Sequence, residues 1–310
     1  MILCVNANAA IDKTVVVSPF RLDTIHRPRQ VLALPGGKGA NVARGLRQLG
    51  ETPVVAGWVG GHSGHYITTG LKREGIATIG VQLDSESRTC LSILDPEQGT
   101  LTEIYEHGEP VPEVQVEAFK DMFWSVVAEY AVVTLSGSLP PGVPANFYGE
   151  LLAIARAAGV PGLLDSSGEA LRQGLATGAP RLIKPNAREF SALVGQELAG
   201  VAEIATAAVE VARQYQTIVV VSLGADGALA TTGSDVIHVC PPQLPIVSAV
   251  GSGDCTLAGI TYGVVRGWAL EETLRYGVAA GTANALTVGA GVFTREDFEC
   301  VRAQVTITRF

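Results

Sequence analysis

The segment Val250-Gly251-Ser252-Gly253-Asp254 leads into a helical pattern that begins Cys255-Thr256-Leu257-Ala258-Gly259. Glycines at a helix start let the backbone turn its N–H groups toward one point, and the helix dipole adds positive potential there. A phosphoryl group is a fitting occupant. Asp254 lies in the middle of this anion site, and a carboxylate beside bound phosphate is costly unless it does chemistry. Taking a proton from an attacking hydroxyl would be such chemistry. A plainer reading makes Asp254 an N-cap after a glycine turn. The motif alone supports both.

Three further segments have polar side chains at element ends. Pro35-Gly36-Gly37-Lys38-Gly39-Ala40-Asn41 precedes a helical run. It is not a Walker sequence, because Gly39 stands where Ser or Thr must follow the lysine. A tight β–α turn would not need Lys38 and Asn41 together, which favours a ligand-holding role. Lys184-Pro185-Asn186-Ala187-Arg188-Glu189 ends a buried strand and places Asn186 and Glu189 on one face of a first helical turn. That pair suits a hydrated Mg²⁺ ion, but it is also a capping box, and taken alone it favours the cap. Ser222-Leu223-Gly224-Ala225-Asp226-Gly227 follows an apolar strand and reads as a nucleotide-facing turn or as a β-hairpin. Ser136-Gly137-Ser138-Leu139-Pro140-Pro141-Gly142 ends another strand and belongs on the same rim. Arg88 could grip a phosphate through a charge-assisted fork, and Asp12 lies in the other irregular stretch. Neither stands out without context.

Several chemistries are excluded. The histidines show no metal-ligand spacing, and no G-x-S-x-G elbow supplies a serine nucleophile. No G-x-G-x-x-G follows the first strand, which disfavours a dinucleotide site. The five cysteines are scattered, without a C-x-x-C pair. They argue against a disulfide framework or thiolate zinc and for a reducing cytoplasm. No basic, signal-like segment precedes the first strand pattern. Mean hydropathy is +0.29, yet no apolar run approaches the ~18–20 residues of a spanning helix, so no membrane association is expected. The net charge of −8 without basic blocks speaks against nucleic acid as a partner.

The elements that must position these residues follow from periodicity. Strand patterns at 52–58, 130–135, 162–165, 181–183 and 217–222 alternate with helical patterns at 39–49, 64–74, 145–158 and 201–214. Such alternation predicts right-handed crossovers and a mostly parallel α/β sheet with helices on both faces. Strand-like runs at 11–17, 30–34, 90–94 and 101–105 lack intervening helices, and Asp95-Pro96-Glu97-Gln98-Gly99 reads as a hairpin turn between the last two. They predict a small β lid inserted as residues 11–35 and 88–106 into a main domain of residues 1–10, 36–87 and 107–310. Residues 253–287 read as nearly all helical.

The order of the motifs resembles that of the PfkB, or ribokinase-like, carbohydrate kinases over essentially the full chain. The resemblance rests on Gly-Gly-Lys-Gly-Ala-Asn at 36–41, Lys-Pro-Asn-x-x-Glu at 184–189, Ser-Leu-Gly-x-x-Gly at 222–227 and Gly-Ser-Gly-Asp at 251–254. Ser136–Gly142, Asp165–Leu171 and Arg88-Thr89 are similar to its phosphosugar kinases, the subgroup of tagatose-6-phosphate kinases and 1-phosphofructokinases. The subgroup opens with Thr-Leu-Asn-Pro, where this chain has Asn6-Ala7-Asn8-Ala9; the missing proline falls on the sugar pocket. The resemblance implies a ribokinase-like doubly wound fold and an ATP- and Mg²⁺-dependent kinase. Its acceptor would be a ketohexose monophosphate: tagatose 6-phosphate first, then fructose 1-phosphate or fructose 6-phosphate. A free-sugar or nucleoside kinase is more distant. Asp254 would be the base, with Gly251, Ser252 and Gly253 as the anion hole. Asp12, Gly37, Lys38 and Asn41 would hold sugar hydroxyls, and Arg88 and Arg27 the substrate phosphate. Lys184, Asn186, Ser222, Gly224, Gly227 and Asn284 would contact ATP, with Asn186 and Glu189 organising Mg²⁺ through water. A homodimer through the lid is also implied. The contrasting class is a catalytically silent binder on the same fold, against which the presence of Asp254, Asn186 and Glu189 weighs.

Overall fold

The computed structural model describes residues 1–309. The chain begins with β1 (Ile2–Asn6), β2 (Ala10–Val16), β3 (Gln30–Gly36), α1 (Lys38–Gln48), β4 (Pro53–Gly60), α2 (Gly61–Arg73), β5 (Ala77–Leu83), β6 (Arg88–Asp95) and β7 (Thr100–Tyr105). It continues with α3 (Glu113–Val126), β8 (Val132–Ser136), α4 (Phe147–Ala157), β9 (Gly162–Asp165), α5 (Gly168–Gly178), β10 (Leu182–Ile183), α6 (Ala187–Val194) and α7 (Val201–Tyr215). It closes with β11 (Ile218–Ser222), β12 (Ala228–Thr231), β13 (Val236–Cys240), α8 (Ser252–Val265), α9 (Leu270–Ala285), α10 (Arg295–Gln304) and β14 (Thr306–Arg309).

Ten strands share one sheet in the order β14-β13-β12-β11-β10-β9-β8-β1-β4-β5. From β11 to β5 every pairing is parallel, and β12, β13 and β14 add an antiparallel edge. Central β1 is buried throughout, and its alternate side chains feed two cores. Ile2 and Cys4 meet Leu46 of α1, Leu71 of α2 and the α8–α10 layer. Leu3 and Val5 meet Phe119 of α3, Phe147 of α4 and Ala208 of α7. Burial on both faces is why this strand reads as a continuous apolar run. On one side of β1 the chain proceeds through β4 and β5, on the other through β8 to β11. That reversal opens a crevice beyond the strands' carboxyl ends.

The four remaining strands form a separate sheet, β3-β2-β6-β7. Its β6–β7 turn is held by Asp95, whose Oδ1 accepts the N–H groups of Glu97 and Gln98 and whose Oδ2 accepts that of Phe20. The turn at 222–228, open between two readings in the sequence, is a hairpin. Leu223 N–H donates to Gly227 O at 2.8 Å, and β11 pairs antiparallel with β12. The antiparallel edge and outer strand β5 had no clear sequence signal: β12, β13 and β14 are only four or five residues long, and β5 has no fully buried residue.

Helices α8 and α9 approach closely because glycines face each other. A Cβ at Gly259 would lie 2.4 Å from the Tyr276 carbonyl oxygen, and one at Gly277 would lie 3.0 Å from the Thr256 carbonyl oxygen. Gly259→Ala should therefore destabilise the protein in urea unfolding by about 1–3 kcal/mol, an overpacking cost larger than the ~1 kcal/mol helix-propensity gain. A net rise in stability would contradict this packing account.

Candidate active site

The crevice gathers residues from strand ends and two helix starts. Asn6, Ser136 and Asp165 form one register row across β1, β8 and β9. Lys184, just past β10, continues that row beside Asp165, and Ser222 at the end of β11 stands opposite Asn186, two residues further on. Above them sit the first turns of α1 and α8. Gly37 is in the left-handed region (φ 93°), and a Cβ there would lie 2.4 Å from Asn6 Oδ1. Its glycine lets the chain pass over β1 and start α1 with Lys38 and Asn41 facing the crevice. Asn6 clamps the turn, donating to Gly36 O at 3.0 Å and accepting from Gly39 N–H at 3.2 Å.

Asp254, in the first turn of α8, is 6% exposed. Asn41 Nδ2 donates to Asp254 Oδ2 at 2.9 Å and to Asp12 Oδ2 at 3.3 Å, so one amide bridges two carboxylates. Gly37 N–H also donates to Asp12, at 3.3 Å. Burial pushes the Asp254 carboxyl up to about 6, with Lys38 opposing, Asp165 adding to the rise, and Asn41 and Lys184 opposing. Burial likewise raises Asp12, against the hydrogen bonds of Asn41 and Gly37 and the charges of Arg44 and Arg88. A carboxylate that ionises near neutrality is fitted to accept a proton.

The cations that face Asp254 are themselves held by a residue the sequence reading left out of the site. Asp165, buried at the end of β9, lies 3.1 Å from Lys184 Nζ and 3.7 Å from Lys38 Nζ. Neither of its oxygens has a well-formed hydrogen bond, so the two ion pairs offset its desolvation. Asp165, and after it Asp254 and Glu189, hold the Lys38 ammonium charged against the effect of burial. Lys184 Nζ is 3.6 Å from the position a Cβ would take on Gly253, next to the glycine turn. The signal for Asp165 was present, since an aspartate ending an apolar strand points at the rim, but no spacing links it to distant Lys38.

The glycine turn itself differs from the expected pattern by one residue. Ser252 N–H is spent on Ala249 O at 3.2 Å. The N–H groups of Gly251, Gly253 and Asp254 are the others at this helix start that have no intrahelical partner. Asn284 corrects a second expectation. It has no exposed surface, which leaves it no face for a nucleotide. Its Nδ2 donates to Val250 O at 2.8 Å, and its Oδ1 accepts the N–H groups of Gly291 and Val292 at 2.8 and 3.1 Å. It ties the 250–252 turn to the loop after α9.

The other expected residues distribute as follows. Asn186 caps α6 in a full capping box, its Oδ1 accepting Glu189 N–H and Glu189 Oε2 accepting Asn186 N–H, both at 2.9 Å. Ser222 lies beside Asn186 in a parallel bridge. Gly227 needs its positive φ of 84°, because a Cβ would strike Val239 O, whereas Gly224 faces open space. Arg88 starts β6 and lines a cavity of about 480 Å³ with Asn8, Tyr105, Glu106, His107 and Ser138. Its Nη1 donates to Glu106 O at 3.0 Å, and its buried Nε has no partner among the described residues. Arg27 stands exposed between β2 and β3. No cluster of three or more His, Cys, Asp or Glu side chains able to hold a metal occurs among the described residues.

Comparison with known proteins agrees with this architecture. The profile of the pfkB family carbohydrate kinases matches residues 4–296. A tagatose-6-phosphate kinase from Staphylococcus epidermidis is 32% identical over 309 residues, covering 99% of each chain. Phosphofructokinase-2 from Escherichia coli, crystallised with potassium, is 30% identical and superposes with a TM-score of 0.90 over 98% of both chains. A possible 1-phosphofructokinase from Thermotoga maritima superposes with a TM-score of 0.92 at 26% identity, over 100% of this chain and 99% of that one.

The raised Asp254 carboxyl has a consequence for stability. A group whose folded value lies above its unfolded one stabilises the fold below the unfolded value and loses that contribution as pH rises through the folded value. With Asp254 moving from 3.8 to about 6, the uncharged Asp254→Asn variant should be more stable than wild type at pH 8, by on the order of 2–3 kcal/mol. The gap should shrink toward pH 5. Urea melts at the two pH values measure it, and a variant less stable than wild type at pH 8 would contradict the assignment.

Proposed function

Because the chain belongs to the pfkB family of carbohydrate kinases, we propose that it transfers the γ-phosphoryl group of ATP to a ketohexose monophosphate. Tagatose 6-phosphate, giving tagatose 1,6-bisphosphate, is the first candidate acceptor. The observation that supports this most is the meeting of Asp254 with Asn41, Asp12, Lys38 and Lys184 at one rim. A proton acceptor, hydroxyl-binding groups and cations for a phosphoryl group stand within one crevice. A silent binder has no need of a carboxylate held at the edge of ionisation beside an anion site.

In this reading Asp12 and the Asn41 amide orient the sugar, and ionised Asp254 faces the hydroxyl to be phosphorylated. As the hydroxyl oxygen bonds to the γ-phosphorus, its proton passes to Asp254 and the bond to the β–γ bridging oxygen breaks, releasing ADP. Charge gathering on the transferring group meets the N–H groups of Gly253 and Asp254 and the ammonium groups of Lys38 and Lys184. Asp165 keeps the two lysines in place. Ser222, Gly224 and Gly227 line the path assigned to the nucleotide.

Mg²⁺ fits as an ion carried largely by the nucleotide phosphates. The capping box leaves Glu189 Oε1 free of those bonds, and a single carboxylate reached through water is a usual Mg²⁺ attachment. When bound, the ion would neutralise phosphate charge. The β3-β2-β6-β7 sheet, with residues 11–35 and 88–106, serves as the lid that excludes water. The face away from Asp12 exposes Val31 and Ile104, which supports pairing of two lids in a homodimer. A cytoplasmic location accords with the absence, among the described residues, of a helix long and apolar enough to cross a membrane.

The substrate class is assigned from the Arg88 cavity, where a guanidinium with an unpartnered buried Nε beside His107 and Ser138 suits a sugar phosphate. The Staphylococcus relative, named for tagatose 6-phosphate, ranks that acceptor first, with fructose 1-phosphate and fructose 6-phosphate as alternatives. ADP release should be measured with MgATP and each phosphosugar, with fructose and ribose as controls. Arg88→Ala should raise the KM of the preferred phosphosugar about 10–100-fold, the value of one charge-assisted contact, and leave turnover of free fructose unchanged. An unaltered phosphosugar KM would remove Arg88 from the phosphate subsite.

A further inference from the structure

Arg44 lies in the second turn of α1, is 4% exposed, and has all five of its N–H donors engaged. Nε and Nη2 form a fork on Glu74, at 2.8 and 3.2 Å, at the C-terminal end of α2. Nη2 also donates to Pro35 O at 2.5 Å, and Nη1 donates to Ala290 O at 2.8 Å. The last bond, from Nη1 to Asn41 Oδ1 at 3.1 Å, reaches the amide that bridges Asp12 and Asp254.

An asparagine amide is nearly symmetric in shape, so its surroundings must choose which end donates. Here two carboxylates require the NH₂ group on one side and a guanidinium requires the oxygen on the other. Removing the guanidinium leaves the oxygen end unheld, and the amide is free to rotate away from Asp254. Arg44 also links pieces that must agree for the site to form. Pro35 belongs to β3, the lid strand that leads into the Gly36–Gly37 turn. Ala290 packs under the glycine turn, since a Cβ on Gly251 would lie 2.6 Å from Ala290 Cα.

We propose that Arg44 is a positioning residue: it fixes Asn41 as the donor to Asp254 and registers the lid's return strand and the 290 loop against that bond. A purely structural staple is the contrasting role, and the two differ in what Asp254 experiences. The groups acting on Asp254 are Lys38 from α1, Asp165 from β9, Lys184 after β10 and the Asn41 amide, with Asp12 of β2 across that amide. A substitution at Arg44 leaves Lys38, Asp165 and Lys184 in place. Arg44 also acts on Asp12 through its charge, so an effect on Asp254 travels through the Asn41 amide or through that charge, and Arg44→Lys, which keeps the charge, separates the two routes.

The inference deepens the kinase reading and rests on it for its kinetic part. The test compares wild type, Arg44→Met, Arg44→Lys, Asn41→Ala and the double variant Arg44→Met/Asn41→Ala. In Arg44→Met, kcat should fall about 10–100-fold, a fraction of the about 10²–10⁴-fold that a positioned base itself contributes. The double variant should be no slower than Asn41→Ala alone, the signature of two residues acting as a unit. Arg44→Lys keeps the charge but cannot span four partners, and should recover only part of the rate. A carbon-13 titration of the Asp254 carboxyl, assigned by Asp254→Asn, needs no turnover and should move to higher pH in Arg44→Met as in Asn41→Ala. Should Arg44→Met fail to fold, Glu74→Gln loosens the same fork and should move the titration in the same direction. Multiplicative rate losses with an unmoved titration would overturn the proposal and leave Arg44 a staple. A wild type without turnover but with the titration moved as expected would sink the kinase reading and sustain the positioning role.

Discussion

A carboxylate buried at the start of a helix, where the proposed reaction would bring a phosphoryl group, sets the terms for the rest of this structure. Desolvation alone would drive Asp254 toward permanent protonation, and an ionised Asp254 without partners would oppose folding. The chain resolves the conflict with two ammonium groups and one amide placed so that the carboxyl ionises close to neutrality. Each of those partners needs support in turn. Lys38 and Lys184 are held by Asp165, and Asn41 by Arg44. The site is therefore a set of nested charge compensations, which explains the number of polar groups buried along one rim of an otherwise apolar sheet.

The fold makes this arrangement possible by bringing distant segments to one edge. Parallel strands end together, so Asn6, Ser136, Asp165, Lys184 and Ser222 share a rim although they span more than two hundred residues of sequence. Crossing from one half of the sheet to the other at β1 and β8 leaves room above that rim for α1 and α8. Glycine is required where backbones must pass closely. Gly37 slides over Asn6, and Gly251 fits against Ala290. The four-stranded sheet is tied to the same region through Asp12 and Pro35, so its position bears directly on the groups around Asp254.

Much of this was legible in the sequence, for reasons that can be stated. The α/β class followed from alternating periodicities, and the second sheet from four strand patterns without helices between them. Asp254, Lys38 and Asn41 stood out because glycine turns at helix starts limit what they can be for. The parts that were not legible depend on contacts between residues far apart in sequence. Asp165 looked like an ordinary strand end until two lysines converged on it. Asn284 was placed at a nucleotide through resemblance, whereas its amide is consumed in holding two loops together. Ser252 gives its N–H to Ala249, a detail of turn geometry that spacing cannot resolve. Arg44 belongs to no motif in the sequence, and only its five bonds set it apart.

The most direct test is the pH dependence of kcat/KM for the preferred phosphosugar, which reports the ionisation of the free enzyme's essential groups. If Asp254 is the base and must be ionised to act, activity should rise with pH through a midpoint near 6 and then level off. In Asp254→Asn, the rate should be lower by about 10²–10⁴-fold, the contribution of a positioned base, and that limb should be gone. A limb near 4, the ordinary aspartate range, or one that survives in Asp254→Asn, would contradict the account.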